Sequence, residues 1–163
     1  MAATRPAQFA MPLQVAAICY RWNGPEIEFL LVRTRGASKW TFPKGDPERS
    51  LTHSQAAERE AWEEAGVRGT IEPKHFHLYL HSKGVFWKPS GVREYVVKAF
   101  LLEVAEENHS HEPSRSPTWF EPSEARQMLA KGREAKYARE LLSVVDRAIE
   151  HVRATQHLAA HTP

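Results

Sequence analysis

Apolar positions first gather in two runs, QVAAICYRW and EIEFLLVRTR, both rich in β-branched and aromatic residues. Such runs favour strands, and Asn23-Gly24 between them is a strong short-range hairpin signal. The stretch GASKWTFPKGDPERS reads as a loop around the short segment Trp40 to Phe42. A helical pattern follows over THSQAAEREAWEEAG. VRGTIEP and HFHLYLH predict strands, SKGVFWKPSG a loop, and VREYVVKAFLLEV the strongest strand of the chain. Beyond the polar AEENHSHEPSRSP and a short TWF, SEARQMLAKG predicts a helix from Ser123 to Gly132. In the last segment Tyr137, Leu141, Val144, Val145, Ala148 and Val152 recur at helical spacing and read as a core stripe. Strands, a helix, more strands and then helices predict an α/β (α+β) domain with a largely mixed or antiparallel sheet.

The 163 residues suit one domain, taken as 13–158, with an N-terminal arm over 1–12 and a loose tail over 159–163. A formal charge of +2 calls for neither a nucleic acid nor a membrane as partner, and the pI near 8.8 hints only weakly at anionic ligands. No signal peptide is legible and no apolar run approaches the roughly 20 residues of a membrane span. The expected location is the cytoplasm. Cys19 is the single cysteine, so an intrachain disulfide is excluded. Its apolar surroundings, VAAICY, suggest a buried structural thiol.

The helix after Leu51 carries an unusual charge pattern. Thr52 and Gln55 fit a capping box, with Leu51 as a staple against Ala56, and Gly66 suits the left-handed closing position. Val67 would then pack on Trp62. Glu63 and Glu64 therefore occupy the last turn, where the helix dipole disfavours each negative charge by about 0.3–1 kcal/mol. Glu60 precedes them by three and four residues, so all three share one face and repel by about 0.2–0.5 kcal/mol per pair. Ala57, Ala61, Ala65 and Trp62 form the side expected to turn to the core. A divalent cation such as magnesium would turn this cost into an asset, since it takes carboxylate oxygens, water and phosphates. The alternative is a solvated acidic face balanced by Arg59 and Arg68.

The stretch from Gly45 to Val67 resembles the Nudix box of pyrophosphohydrolases. Gly45, Arg59, Glu60, Ala61, Glu63, Glu64, Gly66 and Val67 stand at its spacing, and KWTFPKG resembles the segment that leads into it. The resemblance implies the Nudix fold, a mixed β-sheet sandwiched between α-helices. It implies a hydrolase acting on phosphoric anhydride bonds, with magnesium as cofactor and manganese as the alternative ion. Gly45, Glu60, Glu63 and Glu64 become the implied metal ligands, and Arg59 the residue that orients the carboxylates. Leu51 departs from the pattern, which has a supporting Glu there; Asp46 and Glu48 are neighbouring substitutes. Glu60 and Glu64 are candidates for the general base, as are Glu112 and Glu121 in another loop. His109 and His111 read as solvated.

Basic residues surround the expected cleft: Arg33, Arg35, Lys39, Lys44, Arg49, Lys83, Lys88 and Arg93. Such forks and point charges suit a small-molecule polyphosphate. Trp40, Phe86 and Trp87 are candidates to stack on a base, though a buried aromatic is the commoner role. WTFPKG, AAEREAWEEAGV and PTWFEPSEA are most similar to the diphosphoinositol polyphosphate and dinucleoside polyphosphate hydrolases. The contrasting readings are a non-catalytic Nudix-fold nucleotide or sugar-nucleotide sensor, an ADP-ribose hydrolase, or a 5′-RNA pyrophosphohydrolase. Nucleic acid is not the expected partner, and the protein is expected as a monomer or homodimer.

Overall fold

The computed structural model describes residues 11–36, 39–84, 91–110 and 112–160. Phe86, Trp87, Lys88 and His111 lie outside them. Strand β1 (Leu13–Asn23) turns into β2 (Glu26–Arg33), with Asn23 paired to Glu26. The two turn residues are thus Gly24 and Pro25, and Asn23 stays in the strand. Gly24 takes φ 62° at the first turn position, where a side chain would be strained.

On its other side β1 runs parallel to β7 (Val92–Glu107), from Leu13 opposite Val96 to Tyr20 opposite Glu103. All other pairings among the described residues are antiparallel. β7 also takes β6 (His77–Gly84) and β5 (Val67–Ile71), while β2 takes β3 (Trp40–Thr41) and β8 (Thr118–Phe120). The two-residue β4 (Lys44–Gly45) lies against Val15 and Ala16 of β1. The expected mixed sheet is therefore present.

Both faces of β1 are apolar, which is the pattern of a central strand covered on each side. Val15, Ala17 and Cys19 face Ala56 and Ala57 of α1 (His53–Glu60), and Ala61 and Ala65 of the turn that continues it. Ala16 and Ile18 face α2 (Pro122–Ala130) and α3 (Ala135–Ala160), through Leu129, Leu141, Val144 and Val145. Helices thus sandwich the sheet. Cys19 is fully buried, and burial pushes its thiol pKa up, as suits a structural thiol. No helix among the described residues is long and apolar enough to cross a membrane.

Pro12 already accepts a backbone hydrogen bond from Val96, and α3 continues through Ala160. α2 stops at Ala130, short of Gly132.

Candidate functional site

The Thr52 hydroxyl accepts from the Gln55 N–H, and the Gln55 side chain accepts from the Thr52 N–H, so the capping box is complete. After Glu60 the helix widens into a π turn over Ala61–Ala65 and closes at Gly66, φ 68°. Gly66 is needed twice. A Cβ there would lie 2.3 Å from the Asn108 carbonyl oxygen, while the Gly66 carbonyl accepts from the Asn108 N–H at 2.7 Å. Ser110 adds hydroxyl bonds to the Glu63 and Glu64 carbonyls, two groups that a helix end leaves without partners. Trp62 differs from expectation. It is only half-buried and carries the Arg68 guanidinium 3.9 Å above its ring.

These contacts direct Glu60, Glu63 and Glu64 into one cleft of about 700 Å³. The Glu60 carboxylate lies over Gly45 so closely that a Cβ on Gly45 would meet Glu60 Oε1 at 2.2 Å. Burial first, and then Glu64, Glu63, Glu112 and Glu48, push the Glu60 carboxyl up to about 8. Glu64 is buried and accepts from the Lys44 backbone N–H and from Arg115 Nη2, each at 3.3 Å. Its pKa is still raised, because desolvation outweighs Arg115 and Lys44. Glu63 turns to Arg59, whose Nε lies 2.8 Å away and whose Nη1 reaches Glu48 at 2.9 Å.

Arg59 therefore orients Glu63 rather than all three glutamates. Leu51 packs against the apolar cluster under α1. Glu48, not Asp46, is the acid joined to the box; Asp46 accepts from the Gln14 amide.

Among the described residues, no three His, Cys, Asp or Glu side chains are assembled to hold a metal as they stand. Arg59 draws Glu63 one way and Arg115 draws Glu64 another. The donors nevertheless suit a hard divalent cation. They are all oxygens, they line one cleft, and the Glu60 carboxylate beside Gly45 is short of positive charge.

Of the expected basic residues, Arg35, Lys39, Lys44 and Lys83 line this cleft. Arg33, Trp40 and Arg93 do not. Arg33 sits 4.2 Å above the Trp40 ring, and Trp40 is a buried core aromatic set edge-on against Phe120. Trp40 is thus no stacking platform. Arg93 stands opposite Lys83 and lies over Tyr95. Glu112 is in the cleft, held below the usual carboxylate range by hydrogen bonds from Arg115 and Arg35. Glu121 instead precedes α2 and accepts from Ser123, and His109 is exposed. Tyr137, expected in the core stripe, lines the cleft and donates to Glu94.

Arg115, Arg133 and His81, which were not expected at the site, also line the cleft. Arg115 stands three residues after Glu112, so its pairing had a local signal. His81 alternates with the buried Tyr79 along β6, which places both on the inward face. Arg133 follows Gly132, and that glycine read only as a helix stop.

The NUDIX domain family matches residues 12–142. Among solved structures, the Ap4A hydrolase of C. elegans is similar with a TM-score of 0.62 and 20% identity, covering 87% of this chain and 98% of that one. The NUDIX domain of Shewanella oneidensis NrtR, solved with ADP ribose, has a TM-score of 0.62 and 17% identity, covering 88% and 89%. A NUDIX hydrolase from Nitrosomonas europaea has a TM-score of 0.55 and 24% identity, covering 89% and 90%. At these identities the likeness is one of fold.

Proposed function

The chain belongs to the Nudix family, and from that premise we propose that it hydrolyses a diphosphate linkage with magnesium, or manganese, as cofactor. The proposed substrate is a dinucleoside polyphosphate or a diphosphoinositol polyphosphate. The observation that carries the reading is the Glu60 carboxylate lying directly on Gly45, in a cleft that Arg35, Lys39, Lys44, Lys83 and Arg133 also line. A helix facing only solvent has no reason to press a carboxylate onto a glycine or to raise its pKa to about 8.

Glu60, Glu64 and the Gly45 carbonyl would hold the cation, with Glu63 as a further ligand. Bound there, the metal supplies phosphate neutralisation and a more acidic water. The remaining work is done by the chain. Lys44, Lys39 and Arg35 orient and neutralise the phosphates. Arg59 and Glu48 fix Glu63, and Ser110 ties the helix end to the loop that carries Glu112. Glu112 is ionised at neutral pH, which qualifies it to accept the proton lost by the attacking water.

A turnover panel tests this: diadenosine pentaphosphate, a diphosphoinositol phosphate and ADP-ribose, each with magnesium or manganese, for wild type and Glu60→Gln. Metal-dependent turnover that falls at least about a hundredfold in Glu60→Gln is expected. Binding without turnover under either metal would replace the hydrolase with a sensor.

A further inference from the structure

Tyr137 opens the core stripe of α3 in sequence, yet its ring leaves that stripe for the cleft. Leu141, Val144, Val145, Ala148 and Val152 stay buried behind it. Among the described residues that line the cleft, Tyr137 is the one carbocyclic aromatic; the other ring is the His81 imidazole. The Tyr137 hydroxyl donates to Glu94 Oε2 at 3.0 Å, and the Lys136 ammonium donates to the same oxygen at 3.2 Å. The backbone N–H of Tyr137 donates to the Glu134 carbonyl oxygen at the start of α3. Hydroxyl and backbone are both pinned, so the ring is oriented before a ligand arrives.

Register defines the position of the ring along the sheet. Gly45 pairs with Val15, and Val15 with Lys98 of β7. Glu94 precedes Lys98 by four residues, about 13 Å of strand. Tyr137 therefore stands well away from the carboxylate on Gly45, where a remote part of a substrate would lie. Ser82 opposite Glu94 and Gly84 opposite Val92 bring small groups to the same lining, which leaves a flat ring room. The charge beside Tyr137 also differs from that near Lys44. Glu134 lines the cleft, is exposed and enters no salt bridge among the described residues. A ring that carries phosphates would meet this carboxylate with like charge. A nucleobase is uncharged, offers its face to the tyrosine, and can donate amino hydrogens to a carboxylate.

We propose that Tyr137 is a stacking platform for a nucleobase, and that the substrate is a dinucleoside polyphosphate rather than a diphosphoinositol polyphosphate. The choice of substrate class rests on the hydrolase reading above, whereas the platform itself does not. Stacking buries the ring face against the base and is tolerant of which base it is. The recognised group lies remote from the bond that is cut, so Tyr137 acts on affinity more than on the chemical step.

Calorimetry in metal-depleted buffer tests the platform without catalysis, with adenosine 5′-tetraphosphate and inorganic tetraphosphate as paired ligands. Wild type should bind the adenosine compound about tenfold more tightly. Tyr137→Leu should abolish that difference and leave inorganic tetraphosphate within about twofold, whereas Tyr137→Phe should retain it. Equal affinities in wild type, equal losses for both ligands in Tyr137→Leu, or a Phe variant as weak as the Leu variant would each overturn the platform. With magnesium, KM for diadenosine pentaphosphate should rise about tenfold in Tyr137→Leu and exceed the fall in kcat. A higher wild-type kcat/KM for a diphosphoinositol phosphate would overturn the choice of class. Absence of all turnover would sink the hydrolase reading and leave the calorimetry to judge the platform.

Discussion

Arg115 Nη2 lies 3.3 Å from Glu64 Oε1, and both residues are buried, at 8% and 6% exposure. The same guanidinium donates to Glu112 at 2.7 Å and to the Arg33 carbonyl oxygen at 3.0 Å. One side chain therefore joins the end of α1, the loop before β8 and the end of β2. Removing it would leave a buried carboxylate whose remaining hydrogen-bond donor, among the described residues, is the Lys44 N–H. Arg115→Ala should cost about 3–5 kcal/mol of stability. Adding Glu64→Gln should recover part of that loss, because the uncompensated charge is then gone. Urea denaturation of the two variants checks this; an additive double mutant would mean that the pair is not coupled.

Gly45→Ala separates catalysis from stability. The new Cβ would meet the Glu60 carboxylate, the far end of a flexible side chain, rather than backbone. Rotation of Glu60 relieves the clash, so the melting temperature should change by no more than a few degrees. A carboxylate displaced by an ångström or more should lower metal-dependent turnover by about a hundredfold. Retained turnover would show that Glu60 need not lie against residue 45.

The capping box, the closing glycine, the hairpin and the sheet class were legible because each depends on local residue chemistry. Thr52, Gln55, Gly66 and the two-faced apolar run of β1 carry their own signals. The acidic half of the site was legible for the same reason, since Glu60, Glu63 and Glu64 are helical neighbours. The cationic half is tertiary. Arg33 and Lys44 look alike in sequence, yet Arg33 lies on Trp40 and Lys44 lines the cleft. The direction of a strand-end side chain depends on register and packing, which short-range pattern does not hold. Arg115 and Arg133 reach the site from the C-terminal half by the same long-range route.

His81 gives the protein an acid-sensitive element. Its folded-state pKa is pushed down to about 2 from an ordinary 6.5. Below pH 6.5 the unfolded chain binds a proton that the folded chain refuses, so stability falls as pH drops through the window from about 6.5 to 2. The limiting slope is about 1.4 kcal/mol per pH unit for one such group. Denaturation of wild type and His81→Gln at pH 7 and pH 5 isolates the contribution. Identical pH slopes for the two would show that His81 is protonated in the fold.

Glu60 acts in the opposite sense. Its carboxyl rises from 4.5 to about 8, so between these values the folded protein keeps a proton that the unfolded chain has lost. Stability from this group is fully present below pH 4.5 and declines as pH rises towards 8. A divalent cation competes with that proton and stabilises the ionised form. Magnesium should therefore raise the melting temperature more at pH 8 than at pH 6, and it should flatten the decline with rising pH. Glu60→Gln should flatten the metal-free decline and reduce the magnesium effect together, because both arise from one carboxylate. A magnesium-induced shift that survives in Glu60→Gln at full size would place the cation away from Gly45.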